Sequence, residues 1–238
     1  MCPYIGFCVV VSVPDFPKQP YLLPQFLKEV YQEYFQIYQL TGEDRKKTDQ
    51  YIANAERKVF SQTFKNADEY LASLSMQLKV YTGDEYSIPR IAQMTQKTNQ
   101  FNLTTPRLTE QDVWNYVNSG AMVNCLGVKD RFGDNGITVA SIISIHEKTA
   151  SIDAFLLSCR ILGRDIEKAY IYYLINELQI KGVEVVNACY IPTAKNKQTE
   201  MFYETCGFSC INDENGTKRY QLELKSKIAI KPYYKFEI

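Results

Sequence analysis

The stretch "IDAFLLSCRILGRDIEKAYIYYLINELQIKG", residues 152–182, opens as an apolar strand, breaks at "CRILGRD" and continues as a helix of about five turns. A strand that feeds a helix through a short turn aims several free backbone N–H groups and the positive end of the helix dipole at one point. Such a point attracts an anion, most often a phosphate. Gly163 lets a ligand approach the backbone closely, and Arg160 and Arg164 add charge to hold it. The alternative is an ordinary capped turn with two solvated arginines.

The rest of the chain sets bounds on that choice. Its 238 residues hold 27 Lys and Arg against 27 Asp and Glu, so the net charge is zero and the broad positive footprint of a non-specific nucleic-acid binder is missing. No apolar run approaches the roughly 20 residues that a membrane-spanning helix needs. "MCPYIGFCVVVSVPDFP" has an apolar centre without the basic start or small-residue cleavage site of a signal peptide. The seven cysteines are odd in number, scattered and without a C-x-x-C pair, which argues against disulfides and against a metal site. A reducing cytoplasm is the expected location.

Residues 1–50 differ in texture from the remainder of the chain, with five prolines in the first 24 positions and then the aromatic-rich "QFLKEVYQEYFQIYQL". "TGEDRKKTDQYIANAERKVF" reads as a polar connector helix with Thr41 as its N-cap and Asp44 three residues on. "ADEYLASLSM" reads as one more short helix, completing a connector over residues 51–76. Residues 77–238 then alternate: strand "LKVYTG", helices "SIPRIAQMTQKTNQF" and "TEQDVWNYVNSG", strands "MVNCLGVKD", "GITVASIISIHE" and "SIDAFLLS", a helix from Gly163, strand "VEVVNACYI", helix "KNKQTEMFYETC" and a last strand near "RYQLELK". That order predicts an α/β domain with a mixed, largely antiparallel sheet and helices on both faces.

The same order, with a phosphate-type turn opening the third helix, resembles the GNAT acyltransferase fold. "CRILGRD" lies where that family carries R/Q-x-x-G-x-G/A: Arg160 and Gly163 match, while Asp165 replaces the usual second small residue. "NKQTEMFYETCGF" is similar to the family's second motif, with Asn196 opening a helix, Tyr203 seven residues on and Gly207-Phe208 closing it. The resemblance implies an acyl-CoA or the phosphopantetheine arm of an acyl carrier protein as cofactor. It would be held at Arg160, Ile161, Leu162, Gly163, Arg164, Asp165 and Asn196, with the arm between "IDAFLLS" and "VEVVNACYI" and Tyr203 protonating the leaving thiolate. Such an acid near the sulfur helps the thiol depart. Tyr203 is also one of 18 tyrosines, for which core packing is an equal account.

Four blocks in order, "PRIAQMTQKTNQFNLTTPRLTEQDV", "KDRFGDNG", "IDAFLLSCRILGRDIEKA" and "YIPTAKN", resemble the GNAT-like C-terminal half of FkbH-like proteins, which fuse it to a haloacid-dehalogenase-like (HAD) domain. The resemblance implies glyceryl-acyl carrier protein formation for polyketide-type pathways, with carrier protein as partner. It also implies that residues 1–50 are the tail of the HAD-like half. No D-x-D-x-T/V loop is present, so no phosphatase activity is expected of this chain. A HAD-like partner subunit would have to supply it. The uncharged "YIGFCVVVSV" would be a strand without neighbours, inviting homodimer formation through the N-terminal segment.

Other residues carry paired readings. In "TNQFNLTT", Asn99, Gln100, Asn102 and Thr104 either read a polar acyl or glyceryl group or cap their own turn. "DRFGDNG" reads as a hairpin with an Asn-Gly turn, leaving Arg131 and Asp134 to form a buried pair or face the substrate cleft. Cys159 reads as a small buried residue, with a thioester nucleophile as the competing view. Asp153 is the carboxylate best placed for a general base, or a strand carboxylate bonded to its neighbours. Two functions are consistent with these residues: a GNAT-type acyltransferase, or a non-catalytic carrier-protein docking module that leaves the chemistry to a HAD-like subunit. Asp165 favours the second by repelling phosphate; Asn196 and Tyr203 favour the first.

Overall fold

The computed structural model describes residues 17–30 and 42–238, and the chain divides into two compact units, Met1–Asp49 and Gln50–Ile238. The stretch "YIGFCVVVSV", the dimer contact expected of it and the Thr41 cap lie outside the described residues. In the first unit, Pro20–Leu22 form a 3-10 turn that leads into α1 (Leu23–Val30), with no residue buried. The helix α2 (Gly42–Ser61) is followed by α3 (Ala67–Ser73), β1 (Gln77–Thr82), α4 (Ile88–Lys97), a two-residue strand β2 (Phe101–Asn102) and α5 (Glu110–Asn118). After these come β3 (Met122–Asp130), β4 (Gly133–His146), β5 (Thr149–Leu157), α6 (Ile166–Ile180), β6 (Val185–Tyr190), α7 (Phe202–Thr205), β7 (Ser209–Glu214), β8 (Thr217–Glu223) and β9 (Lys235–Glu237).

The strands form one sheet in the order β7-β8-β6-β5-β4-β3-β1-β9, with β2 added on β5. Only β5–β6 and β1–β9 run parallel. One face is covered by α4 and α5, whose Ile88, Ile91, Met94 and Val113 pack with Val123, Ile142, Ala154 and Leu156. The other carries α6 and α7, packed with Ile152, Phe155, Leu157, Val186 and Tyr220. α6 is buried around most of its girth, which suits its mostly apolar sequence. α5 starts at a capping box in which Thr109 Oγ1 accepts from the Asp112 amide and Asp112 accepts from the Thr109 amide.

Alternation along β5 is broken once. Ile143 pairs with Ile152 and Ile142 with Ala154, so Asp153 is an extra residue, a β-bulge. Ile152 and Ala154 would share a face without it; with it, they reach opposite cores.

Several sequence expectations are corrected by the backbone. The helix expected from Gly163 starts at Ile166, after a 3-10 turn at Cys159–Ile161. Gly163 (φ +80°) and Asp165 (φ +50°) are both left-handed, and a right-handed helix cannot run through them. The β3–β4 turn is Arg131-Phe132, flanked by paired Asp130 and Gly133; Asn135 and Gly136 sit inside β4, at register shifts opposite β3. The helix read over "KNKQTEMFYETC" is a 3-10 turn, Lys197–Thr199, and the one-turn α7. The strand expected to be last, near "RYQLELK", is β8, paired in a hairpin with β7, and the chain continues past it to β9, crossing α6 where Asn176 exchanges two hydrogen bonds of 2.9 Å with the backbone of Ile228.

Arg131 and Asp134 are both exposed and do not form a buried pair: Arg131 stacks over the Phe60 ring at 4.4 Å, and Asp134 accepts from the Gly136 amide. The buried pairing belongs to Asp130, whose fully buried carboxylate takes two bonds from Arg57 of α2 at 2.9 and 3.0 Å and one from Arg164 at 2.9 Å. The connector helix is thereby clamped to the sheet. Removing that carboxylate leaves two buried guanidinium groups without a counter-charge, so Asp130→Ala is expected to cost about 3–5 kcal/mol of stability. Urea unfolding checks this, and a loss under ~1 kcal/mol would contradict the clamp.

Candidate functional site

The site the sequence points to lies where β5 and β6 part. They pair from Thr149↔Val185 to Ile152↔Ala188 and then separate, at the Asp153 bulge. A parallel pair that opens exposes a row of unpaired backbone groups on each strand. Here that row is filled by the chain itself. β2 pairs Phe101 with Leu157 and Asn102 with Leu156, the Leu103 amide donates to the Phe155 carbonyl, and the Ile191 amide donates to the Leu103 carbonyl at 2.8 Å. Thr104 Oγ1 donates to the Asp153 carbonyl at 2.7 Å.

Asn196 fastens this insert. Its Nδ2 donates to the carbonyls of Asn102 and Ile191 at 2.9 and 3.0 Å, and its Oδ1 accepts from the Thr193 amide and the Tyr190 hydroxyl. Those four bonds use the whole capacity of a carboxamide, and the residue is fully buried. Phe101 wedges edge-on against Phe202 with ring centres 5.1 Å apart. Asn196 was expected to face a cofactor, and it binds its own chain instead.

The remaining expected residues divide accordingly. Asn102 is buried, donating to the Thr98 carbonyl and accepting from the Thr105 amide; Asn99 accepts from Arg107, and Gln100 donates to Gln198 at 3.0 Å. Asn102 thus bonds within its own turn, whereas Thr104 reaches out of it to the Asp153 carbonyl on β5. Tyr203 is not an exposed acid. It is buried among Phe202, Phe208 and Tyr220, its hydroxyl has no hydrogen-bond partner, and burial pushes the phenol well above its usual range. Cys159 is exposed rather than buried, because the 3-10 turn lifts it off the sheet.

At "CRILGRD" the turn spends several of its donors on the chain itself. The amides of Ile161 and Leu162 bond back to Ser158 and Cys159, and the buried Arg164 turns inward to Asp130 and the Arg160 carbonyl. Asp165 sits at the N-cap of α6 without a capping bond, and two residues on, Glu167 has a buried carboxylate oxygen without a partner. Burial raises the Glu167 carboxyl, with Asp165 adding to the effect. Gly163 and the Arg160 side chain are exposed.

On the sheet face shared with α5, a cleft of about 360 Å³ is lined by Ser151, Asp153, Asn187, Cys189, Ile211 and Arg219. Asp153 is half-buried and accepts from Ser144 Oγ. Burial pushes the Cys189 thiol up, against the opposing pull of Arg219. Ser144, Asn187 and Arg219 were not singled out from the sequence. Each stands on an ordinary strand, and only pairing across β4, β5, β6 and β8 brings them together. Among the described residues no group of three or more His, Cys, Asp or Glu could hold a metal ion, and no helix is long and apolar enough to cross a membrane.

A mixed, largely antiparallel sheet with helices on both faces and one parallel pair that parts is the architecture that the resemblance to the GNAT fold implies. No protein-family model matches the sequence, and no curated protein matches it. Solved structures that resemble the chain include the ribosomal-protein-S18-alanine N-acetyltransferase from Escherichia coli, at TM-score 0.49 and 14% identity over 66% of this chain and 99% of that one. YncA, a putative acetyltransferase from Salmonella typhimurium with acetyl-CoA, gives 0.45 and 13% over 65% and 98%. A Bacillus subtilis acetyltransferase in complex with CoA gives 0.45 and 13% over 62% and 99%.

Beyond the bulge, β2 and the Leu103 amide hold the backbone groups of Phe155, Leu156 and Leu157 on β5. Two substitutions separate the roles of Asn196 and Tyr203. Asn196→Ala strips partners from the carbonyls of the buried Asn102 and of Ile191 and is expected to cost about 3 kcal/mol. Tyr203→Phe removes a hydroxyl that bonds to nothing and should stay within about 0.5 kcal/mol of the parent, or gain stability. Chemical denaturation of both variants checks this; a clear loss in Tyr203→Phe would reveal a partner for the hydroxyl.

Proposed function

We propose that the chain is the GNAT-like half of an FkbH-like protein. It would serve acyl transfer to an acyl carrier protein, in glyceryl-acyl carrier protein formation for polyketide-type biosynthesis, and would not be an acetyltransferase using free acyl-CoA. The observation that carries this reading is the acidic start of α6, where free acyl-CoA would place its pyrophosphate. Asp165 and Glu167 stand there, and two carboxylates oppose a pyrophosphate. A carrier protein brings contacts of its own and does not depend on that helix end. A HAD-like subunit would supply the phosphate chemistry that this chain lacks.

Beside that role the cleft at Asp153 favours a second reading, in which the domain itself moves an acyl group on from the carrier arm to an acceptor and the arm's thiol departs. The Asp153 carboxylate, steadied by the Ser144 hydroxyl, would accept a proton from a hydroxyl or amine acceptor bound beside Asn187 and Arg219. The docking reading needs no such step.

Mass spectrometry and thiol-release assays of the 238-residue protein separate these accounts. Incubation with acetyl-CoA is expected to yield neither acylated protein nor released thiol. Holo carrier protein is expected to bind. Transfer from an acyl carrier protein that falls at least 100-fold in Asp153→Asn, with binding kept, is the outcome of the catalytic reading. Turnover of free acetyl-CoA would overturn the proposal.

A further inference from the structure

Two segments meet around the insert of residues 101–104: residues 97–107, which carry it, and residues 191–199, which follow β6. They are tied at three points. The Ile191 amide donates to the Leu103 carbonyl at 2.8 Å, Asn196 Nδ2 to the Asn102 carbonyl at 2.9 Å, and Gln100 Nε2 to Gln198 Oε1 at 3.0 Å. These segments hold Lys97, Arg107, Lys195 and Lys197 and not one Asp or Glu, on a chain whose net charge is zero. All four cations are exposed.

Their charge is left open. Lys97, Lys195 and Lys197 make no side-chain hydrogen bond or ion pair among the described residues. Arg107 spends its donors on neutral groups, the carbonyls of Thr95, Gln96 and Thr98 at the end of α4 and Asn99 Oδ1. The helix dipole there offsets only about half a charge. Glu110, the first carboxylate after the first segment, stands in the opening turn of α5, and Glu200, the first after the second, is held by Lys218 at 3.0 Å. The backbone under the lysines is fixed, since the amides of Lys195 and Asn196 donate to Thr193 Oγ1 and the Thr193 amide donates to Asn196 Oδ1. Ile191 and Met201, an aliphatic residue on either side of this turn, are 40% and 54% exposed.

Fixed cations among exposed aliphatic side chains suit a protein surface that carries carboxylates. A single-stranded nucleic acid would ask for exposed rings on which to stack its bases, and the aromatic residue of these segments, Phe101, is buried. We propose that this basic surface docks the carboxylate-bearing face of a partner protein, and that the partner is the folded body of the acyl carrier protein. The inference rests on the carrier-protein reading above and adds where the carrier sits. It needs no contact with the phosphopantetheine arm.

The test is fluorescence anisotropy of the full chain against a labelled acyl carrier protein in its apo form, which lacks the arm, and its holo form. Both are expected to bind with similar affinity, weakening as salt rises from about 0.05 to about 0.3 M. Lys97→Glu, Lys195→Glu and Lys197→Glu should each lower the affinity about fivefold or more, and the three together should abolish binding. The exposed control Lys227→Glu should bind like the parent, and the unfolding midpoint of each variant checks that the fold is kept. Binding confined to the holo form would place recognition in the arm, and tighter binding of a single-stranded RNA than of the apo carrier would assign the surface to nucleic acid; either overturns the proposal. Absence of binding by the parent chain overturns it too. Parent affinity in the reversed variants overturns the surface and leaves the function proposed above standing, whereas turnover of free acetyl-CoA, with docking lost in those variants, overturns that function and leaves the surface.

Discussion

The parting of β5 from β6 after Ile152↔Ala188 is the constraint on which the rest of this domain turns. Parallel strands that separate leave backbone donors and acceptors facing each other across a gap too wide for a hydrogen bond, and buried groups of that kind must find partners. In this chain the partners are internal. Residues 101–104 enter the gap, pair with β5 on one side, take the Ile191 amide on the other, and are fastened by the four bonds of Asn196. The bulge at Asp153 stands at the same point. It sends the following residues to the faces that the two cores require and leaves a carboxylate in the lining of a cleft.

A second organising element lies at the far end of β5. Asp130 gathers Arg57 from the connector and Arg164 from the turn before α6, and the Tyr234 hydroxyl bonds to the Arg164 carbonyl at 2.8 Å. Connector, hairpin, turn and C-terminal strap thus meet around one carboxylate. A buried ion pair is poor evidence for net stability, because desolvation offsets much of the attraction, but it fixes which elements meet. Arg164 is drawn into the structure by this arrangement, which leaves Arg160 and Lys58 as the outward cations.

The fold was largely legible in the sequence, and the interior of the site was not. β3 was readable to the residue, and α4, α5 and the β5-to-α6 seam emerged from apolar periodicity. These depend on local patterns. β2 is two residues long and has no period to detect; its partners are Leu156 and Leu157, more than fifty positions away. The Asp130 cluster joins residues 73 and 34 positions apart, and nothing local distinguishes Asp130 from a solvated strand end. Asn135-Gly136 misled for a different reason: glycine in the left-handed region serves a bulge as well as a turn, and only strand register separates the two. Tyr203 fitted the motif spacing, yet spacing does not report whether a hydroxyl faces a ligand or a core.

The central claim is that the gap between β5 and β6 belongs to the chain and not to free acyl-CoA, and amide hydrogen exchange resolved to single residues tests it most directly. The Leu103 and Ile191 amides, which bond to Phe155 and Leu103, should exchange as slowly as those of the paired β4–β5 core, with rates unchanged by saturating acetyl-CoA. Exchange at the rate of an exposed loop, or displacement of these protections by acetyl-CoA, would contradict the account.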